Sequence, residues 1–291
     1  MFKGTHTALV TPFKNDLLDE EAFSALIEGQ IAAGITGIVP VGTTGESPTL
    51  SHEEHLRVVE HAVQQAKGRC IVMAGTGSNS TAEAISLTRE AEQRGANAAL
   101  IVAPYYNRPT QEGLFQHFRA IANATKLPIM LYSIPGRCGV EIGIETVARL
   151  AKECPNIVSI KEAGGNVDRV SQLRAALPDA FEILSGDDGL TLPFIATGAV
   201  GVVSVASNLI PAEIVKLVNL ALADDFAAAR AVHERLHQLF KDLFIESNPA
   251  PIKAALALQG RLSADVRPPL VNASEPTVAK LKQTLSQLSL L

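Results

Sequence analysis

Lys161 lies in the segment IVSIKEA, which is otherwise apolar until its end, and is the first residue of this chain to need a chemical explanation. Burying an ammonium without partners is expensive. Either the lysine pairs with Glu162 or meets water at a strand end, or its amine is held in a desolvating pocket that lowers its pKa. The second arrangement makes a nucleophile. An unperturbed lysine is neutral only about one part in a thousand of the time at neutral pH, whereas a desolvated one keeps enough free amine to attack a keto carbonyl. Other groups suited to chemistry are Thr43 and Thr44 in GTTGES, Tyr105 and Tyr106 in PYYN, Tyr132 and Arg137 in YSIPGR, and Asp187 and Asp188 in SGDD. A phenol hands protons on at fixed geometry, and a guanidinium fork grips a carboxylate bidentately. Taken singly, each has a plainer use: threonines make turns, tyrosines pack, and an arginine decorates a surface.

The elements that must position these residues follow a repeating rhythm. Short β-branched runs occur as ALVT near Leu9, GIVPV at Gly37, CIVMAG from Cys70, AALIVA from Ala98, PIMLYS from Pro128, IVSIKE from Ile157, FEILSG from Phe181 and VGVVSV from Val200. Each is followed by a helix-length segment, the pattern of repeated βα units. Several are apolar on both alternating faces, as strands are when helices cover one side and a packed barrel interior the other. Asp19 precedes an apolar-periodic stretch that ends near Gly34, and Ser51 with Glu54 and Ser80 with Glu83 each match a capping box. The expected fold is α/β, a (β/α)8 TIM barrel over residues 1–207, with a helical C-terminal extension over 208–291. In such barrels the reactive groups sit at the carboxyl ends of the strands and in the loops beyond them, where all the residues named above fall.

Composition narrows the function further. A formal net charge of −5, without a run of Lys or Arg, gives no field to hold a phosphate backbone, so nucleic acid is not an expected partner. No apolar run reaches the roughly 20 residues that span a bilayer, and the N-terminal stretch is not patterned as a secretory signal, so the expected setting is cytoplasmic. Cys70, Cys138 and Cys154 form no C-x-x-C pair and read as reduced thiols. Gly75-Thr76-Gly77-Ser78 has Ser80 where a dinucleotide fingerprint needs its third glycine. Asp187 and Asp188 would repel the phosphate that many barrels bind after their seventh strand, and His52 with His55 lack a third ligand at zinc-like spacing. Neither a metal nor a separate cofactor is expected.

The segments VGTTGES, PYYNRPTQEG, YSIPGR, IKEA, SGDD and NPAPIK together, in this order, resemble the 4-hydroxy-tetrahydrodipicolinate synthase family, also called dihydrodipicolinate synthases. The likeness runs from about Gly4 to the C-terminus. It implies a Schiff-base aldol condensation of pyruvate with L-aspartate 4-semialdehyde, opening lysine and diaminopimelate biosynthesis, with Lys161 forming the imine. By the same resemblance Tyr132 transfers protons beside the imine, Thr43 hydrogen-bonds its hydroxyl, and Tyr106 continues the relay from a neighbouring subunit. Thr44, Arg137, Gly186 and Val203 bind substrate, with Arg137 taking the carboxylate of the semialdehyde and Gly186 and Val203 helping to hold pyruvate. Ser47, Pro48, His52, His55, Asn79, Glu83 and Tyr105 match positions that form a pocket for inhibitory lysine in members of the family, Pro48 standing where a small Ala is frequent. Ser133 departs from the Asn common after the tyrosine. The family is usually a tetramer built from tight dimers. The alternatives are an N-acetylneuraminate lyase or keto-deoxy sugar acid aldolase of the same superfamily, from which Arg137 separates the synthases, and a non-catalytic pyruvate-binding sensor.

Overall fold

The first and last barrel strands can close on one another because glycines meet at the seam. A computed structural model describes residues 1–291. Strand β1 (Gly4–Ala8) is followed by a hairpin of β2 (Phe13–Lys14) and β3 (Leu17–Leu18), then α1 (Glu20–Ala32), β4 (Gly37–Val39), α2 (His52–Ala66), β5 (Ile71–Gly75), α3 (Thr81–Gln93), β6 (Ala98–Val102) and α4 (Gln111–Ala122). The chain continues as β7 (Ile129–Ser133), α5 (Pro135–Cys138), α6 (Ile144–Glu153), β8 (Ile157–Glu162), α7 (Val167–Ala176), β9 (Glu182–Ser185), α8 (Thr191–Ala196) and β10 (Gly201–Ser204). Helices α9 (Pro211–Leu222), α10 (Phe226–Asp242), α11 (Ala250–Leu258) and α12 (Glu275–Gln287) complete it. The barrel order is β1-β10-β9-β8-β7-β6-β5-β4, closed and parallel throughout. Gly201 pairs with Gly4, and a Cβ on Gly201 would lie 1.9 Å from the Gly4 carbonyl oxygen, so no larger residue fits the seam.

All eight expected strands form, the first displaced toward the N-terminus, since it ends at Ala8 and leaves Leu9 and Val10 buried just beyond it. The small hairpin was not expected, because strands of two residues carry no periodicity. Its turn residues, Asn15 and Asp16, both take positive φ, as a two-residue hairpin loop of the primed kind requires. Asp19 caps α1 by accepting the Ala22 amide at 3.0 Å, and Ser51 and Glu54 form the reciprocal box at the start of α2. At α3 only half of the expected box exists. Ser80 accepts the Glu83 amide, but the Glu83 carboxylate bonds Ser78 and His52 instead of reaching back.

The boundary expected at residue 207 falls one helix early. Helix α9 lies against β1, β10 and α8 as the last member of the outer ring, so the helices that pack outside the ring are α10, α11 and α12. They return the chain to the barrel mouth. Lys253 of α11 reaches Glu46 in the loop after β4, where both side chains are fully buried. Arg267 donates to Glu54 at 2.7 Å and to Asp16 at 2.9 Å. No helix is long and apolar enough to cross a membrane.

Candidate active site

Parallel register brings the expected nucleophile and the expected proton-transfer residue side by side. Tyr132, one residue from the end of β7, pairs with Lys161, one residue from the end of β8. Lys161 Nζ stands 4.1 Å from the centroid of the Tyr132 ring, and both side chains are buried. Successive strand residues face opposite ways, so Glu162 points away from Lys161 and is held by Arg169 Nε at 2.8 Å and the Gly164 amide at 2.7 Å. The pairing of Lys161 with Glu162 that the sequence left open does not occur. Burial lowers the Lys161 pKa to about 7, Asp188 working against the shift and Arg137 with it. Tyr132 moves the other way: burial pushes its phenol up to about 12, partly offset by the Thr43 hydroxyl and then by Arg137.

Gly186 leaves room for the lysine. A Cβ there would lie 3.0 Å from Lys161 Cε and 2.6 Å from the Ala163 Cβ, so a side chain would displace the amine. Val203 is buried on β10, in register with His6 of β1. Asp188, read from sequence as a group that would repel phosphate, is buried. It accepts from the Ser204 hydroxyl at 2.5 Å and from the Val205 and Ala206 amides at 3.0 and 2.9 Å, at the start of a short helical turn. Burial raises its pKa to about 6, with the Ser204 hydroxyl opposing.

The loop after β4 carries Thr43 on the wall of a cavity of about 420 Å3 that Tyr132 and Arg137 also line. Thr44 is buried behind it, accepting the side-chain amide of Asn248 at 2.9 Å. Arg137, on the one-turn helix α5, is exposed at the rim and donates from Nη2 to the main-chain oxygen of Asn248 at 3.3 Å. Tyr106 is not brought to this site within the chain: its φ is 72° and its side chain is 90% exposed. Ser133 is buried at the end of β7, where its hydroxyl accepts the Ile142 amide at 3.4 Å.

The residues expected to hold lysine line the same cavity, except one. Ser47, Pro48, His52, His55, Glu83 and Tyr105 share its wall with Thr43, Tyr132 and Arg137. Asn79 lies outside it, where its side-chain amide donates to the Tyr105 carbonyl at 3.1 Å and steadies that loop. The Ser78 hydroxyl, with His52 at 2.6 Å, holds the Glu83 carboxyl below its ordinary range. Burial lowers His55 to about 4, so its imidazole is neutral at physiological pH, beside the Ser47 hydroxyl.

Sequence reasoning missed Asn248, the pair Glu46 and Lys253, and the buried role of Asp188. The signal was present as strings, GTTGES and NPAPIK, but nothing in a string shows that residues 204 and 207 positions apart touch.

The chain is matched from residue 1 to 288 by the model of the dihydrodipicolinate synthetase family. It is similar to the solved 4-hydroxy-tetrahydrodipicolinate synthase of the thermoacidophilic methanotroph Methylacidiphilum fumariolicum SolV, at 56% identity and a TM-score of 0.98, covering 99% of this chain and 96% of that one. A dihydrodipicolinate synthase of Acinetobacter baumannii, solved in complex with pyruvate, superposes with a TM-score of 0.98 at 42% identity over 100% of both chains. Another from Cyanidioschyzon merolae, solved with lysine bound, superposes with a TM-score of 0.97 at 42% identity, covering 100% of this chain and 99% of that one.

Proposed function

The chain belongs to the dihydrodipicolinate synthetase family, and on that footing we propose that it condenses pyruvate with L-aspartate 4-semialdehyde through an imine on Lys161. The reaction is that of 4-hydroxy-tetrahydrodipicolinate synthase, a lyase of lysine and diaminopimelate biosynthesis, carried out on a TIM barrel. The observation that carries the reading is a buried lysine with no ion-pair partner, lying against a buried tyrosine. The other buried lysine, Lys253, has Glu46.

With a pKa of about 7, roughly half of the Lys161 amines are neutral at neutral pH. The amine attacks the ketone carbon of pyruvate, water leaves, and an iminium remains. Its positive charge draws electrons from the methyl group, whose proton departs to give an enamine. The enamine carbon bonds to the aldehyde carbon of the second substrate. The amine of that substrate then attacks the iminium carbon, closing the ring and freeing Lys161. The iminium itself is the electron sink, so the scheme uses neither a metal nor a separate cofactor.

Tyr132 suits the proton transfers because its raised pKa keeps the phenol intact, able both to give and to accept a proton. Thr43 orients that phenol and Thr44 binds substrate behind it, while Gly186 and Val203 border the pyruvate. Arg137, exposed at the rim, takes the semialdehyde carboxylate. A fully exposed Tyr106 fits a residue that completes the relay in a second copy of the chain, within a homo-oligomer of the kind the family builds, a tetramer of tight dimers. Lysine, bound in a related enzyme, fits the lobe with Glu83, His52, His55 and Ser47 and would inhibit from there. Three unpaired buried thiols suit a reducing, cytoplasmic setting.

Borohydride added in the presence of pyruvate, followed by peptide mapping, tests the proposal. One reduced pyruvate per chain on Lys161, with loss of activity, is expected. An adduct on another lysine, or none, would overturn it.

A further inference from the structure

We propose that Asn248, delivered by the C-terminal extension, is a positioning residue that fixes the Thr44 hydroxyl as a hydrogen-bond donor toward the carboxylate of bound pyruvate. The inference rests on the reading of Thr44 as a substrate-binding residue. A hydroxyl has one hydrogen to give and lone pairs to receive. Thr44 Oγ1 receives the Asn248 amide hydrogen at 2.9 Å, and its own hydrogen has no acceptor in the protein. Accepting from one side turns that hydrogen to the other.

The orientation of the amide is set by what surrounds it. Its Oδ1 is buried with no donor nearby. Turning the group over would bury an NH2 with both hydrogens unmet, which is the worse arrangement, since buried N–H groups are left unpaired less often than carbonyls. Asn248 is also held in place on both sides. Its main-chain oxygen accepts Arg137 Nη2 at 3.3 Å, and the same segment runs into α11, whose Lys253 is paired with Glu46 in the Thr44 loop. One short segment therefore ties down two anion-binding groups, the buried threonine and the rim arginine. The threonine is buried, as Lys161 is, at 3% and 5% exposure, whereas Arg137 is exposed, so the buried group suits the smaller substrate and the rim group the second.

The test is steady-state kinetics on the full chain with Asn248→Asp, Asn248→Ser, Thr44→Val and the double variant Asn248→Ser/Thr44→Val, with melting temperatures alongside. Asn248→Asp replaces the donor by an acceptor and reverses the hydroxyl, so the KM for pyruvate rises about tenfold or more. The KM for the semialdehyde stays within about twofold, because the main-chain carbonyl that holds Arg137 survives the substitution. Asn248→Ser raises the pyruvate KM in the wild-type background and adds nothing once Thr44 is valine, which is the coupling expected of residues that act as a unit. Additive effects, or losses confined to kcat or to the semialdehyde KM, would overturn the proposal while leaving the Thr44 assignment standing. An unchanged pyruvate KM in Thr44→Val alone would overturn that assignment and the proposal with it. If Asn248→Asp melts early, the cycle with serine and valine decides by itself.

Discussion

Two lysines are buried in this chain, and their neighbours decide what each can do. Burial works against the charge of both, but the Glu46 carboxylate offsets it at Lys253, whereas Lys161 lies on a phenol ring with no ion pair. Only the neutral amine attacks a carbonyl, so the rate of imine formation should rise with pH through about 7 and level off above it. Asp188 favours the ammonium, and Asp188→Asn keeps the shape without the charge, so its profile should shift to lower pH. Quenching pyruvate mixtures with borohydride over a pH series measures both. A midpoint near the ordinary lysine value of about 10.4 would rule out the desolvated amine, and one unmoved by Asp188→Asn would remove that residue's influence. Lys161 was legible in the sequence because a lysine at the end of an apolar strand has few inexpensive explanations. Asp188 was not, because its environment is made by Ser204 and the turn after β10, and an aspartate in a loop looks solvated until those are in place. Asn248 was invisible for the same reason, its partner lying across the barrel mouth.

The βα elements were read from apolar periodicity and capping residues, signals that live within a few positions of each other. They failed where a tertiary partner outcompeted a local one. Glu83 is the instructive case: the S-x-x-E spacing predicts a carboxylate folded back on its own helix, yet Ser78 and His52 claim it and turn it into the cavity. The departure places a carboxylate on the cavity wall. The carboxyl is held below its usual range and is ionised at neutral pH, so free lysine should inhibit the wild-type chain. Glu83→Ala should weaken that inhibition by about tenfold or more, as loss of a charge-assisted contact does. His55→Ala removes only a neutral imidazole and should weaken it less. Activity measured against lysine concentration distinguishes these outcomes; wild-type activity unaffected by lysine, or equal inhibition in all three proteins, would take the cavity out of regulation. The barrel itself was legible, but its eighth helix was assigned to the extension because α9 and the helices after it share one apolar pattern, and only contact with β1 and β10 separates them.

For the molecule as a whole, the extension and the barrel are joined by a charge pair that neither could bury alone. Lys253→Met leaves the Glu46 carboxylate without its cation, and loss of one partner of a buried pair costs about 3–5 kcal/mol. The double variant Glu46→Gln/Lys253→Met should recover part of that loss, read by chemical denaturation of the three proteins. A single variant as stable as wild type would show the pair to be idle. Tyr106, fully exposed on one chain, sets a second test: inactive Tyr106→Phe and Lys161→Ala proteins should regain activity when their subunits exchange, because one hybrid site then holds both residues. No recovery in proven hybrids would place the relay within a single chain. The bond between Lys253 and Glu46 also has a consequence for synthesis. It spans 207 positions, so as the chain leaves the ribosome the Thr43 and Thr44 loop is made early and waits for its anchor until nearly the whole protein has emerged. Strand β10, which closes the barrel at Gly201, is finished well before then. A chain that ends just after Ser204 contains the sequence of every barrel strand and Lys161, yet lacks both α9, which covers β1 and β10, and the Lys253 anchor of the mouth. Premature release of such a chain therefore leaves the Thr43 and Thr44 loop without its anchor.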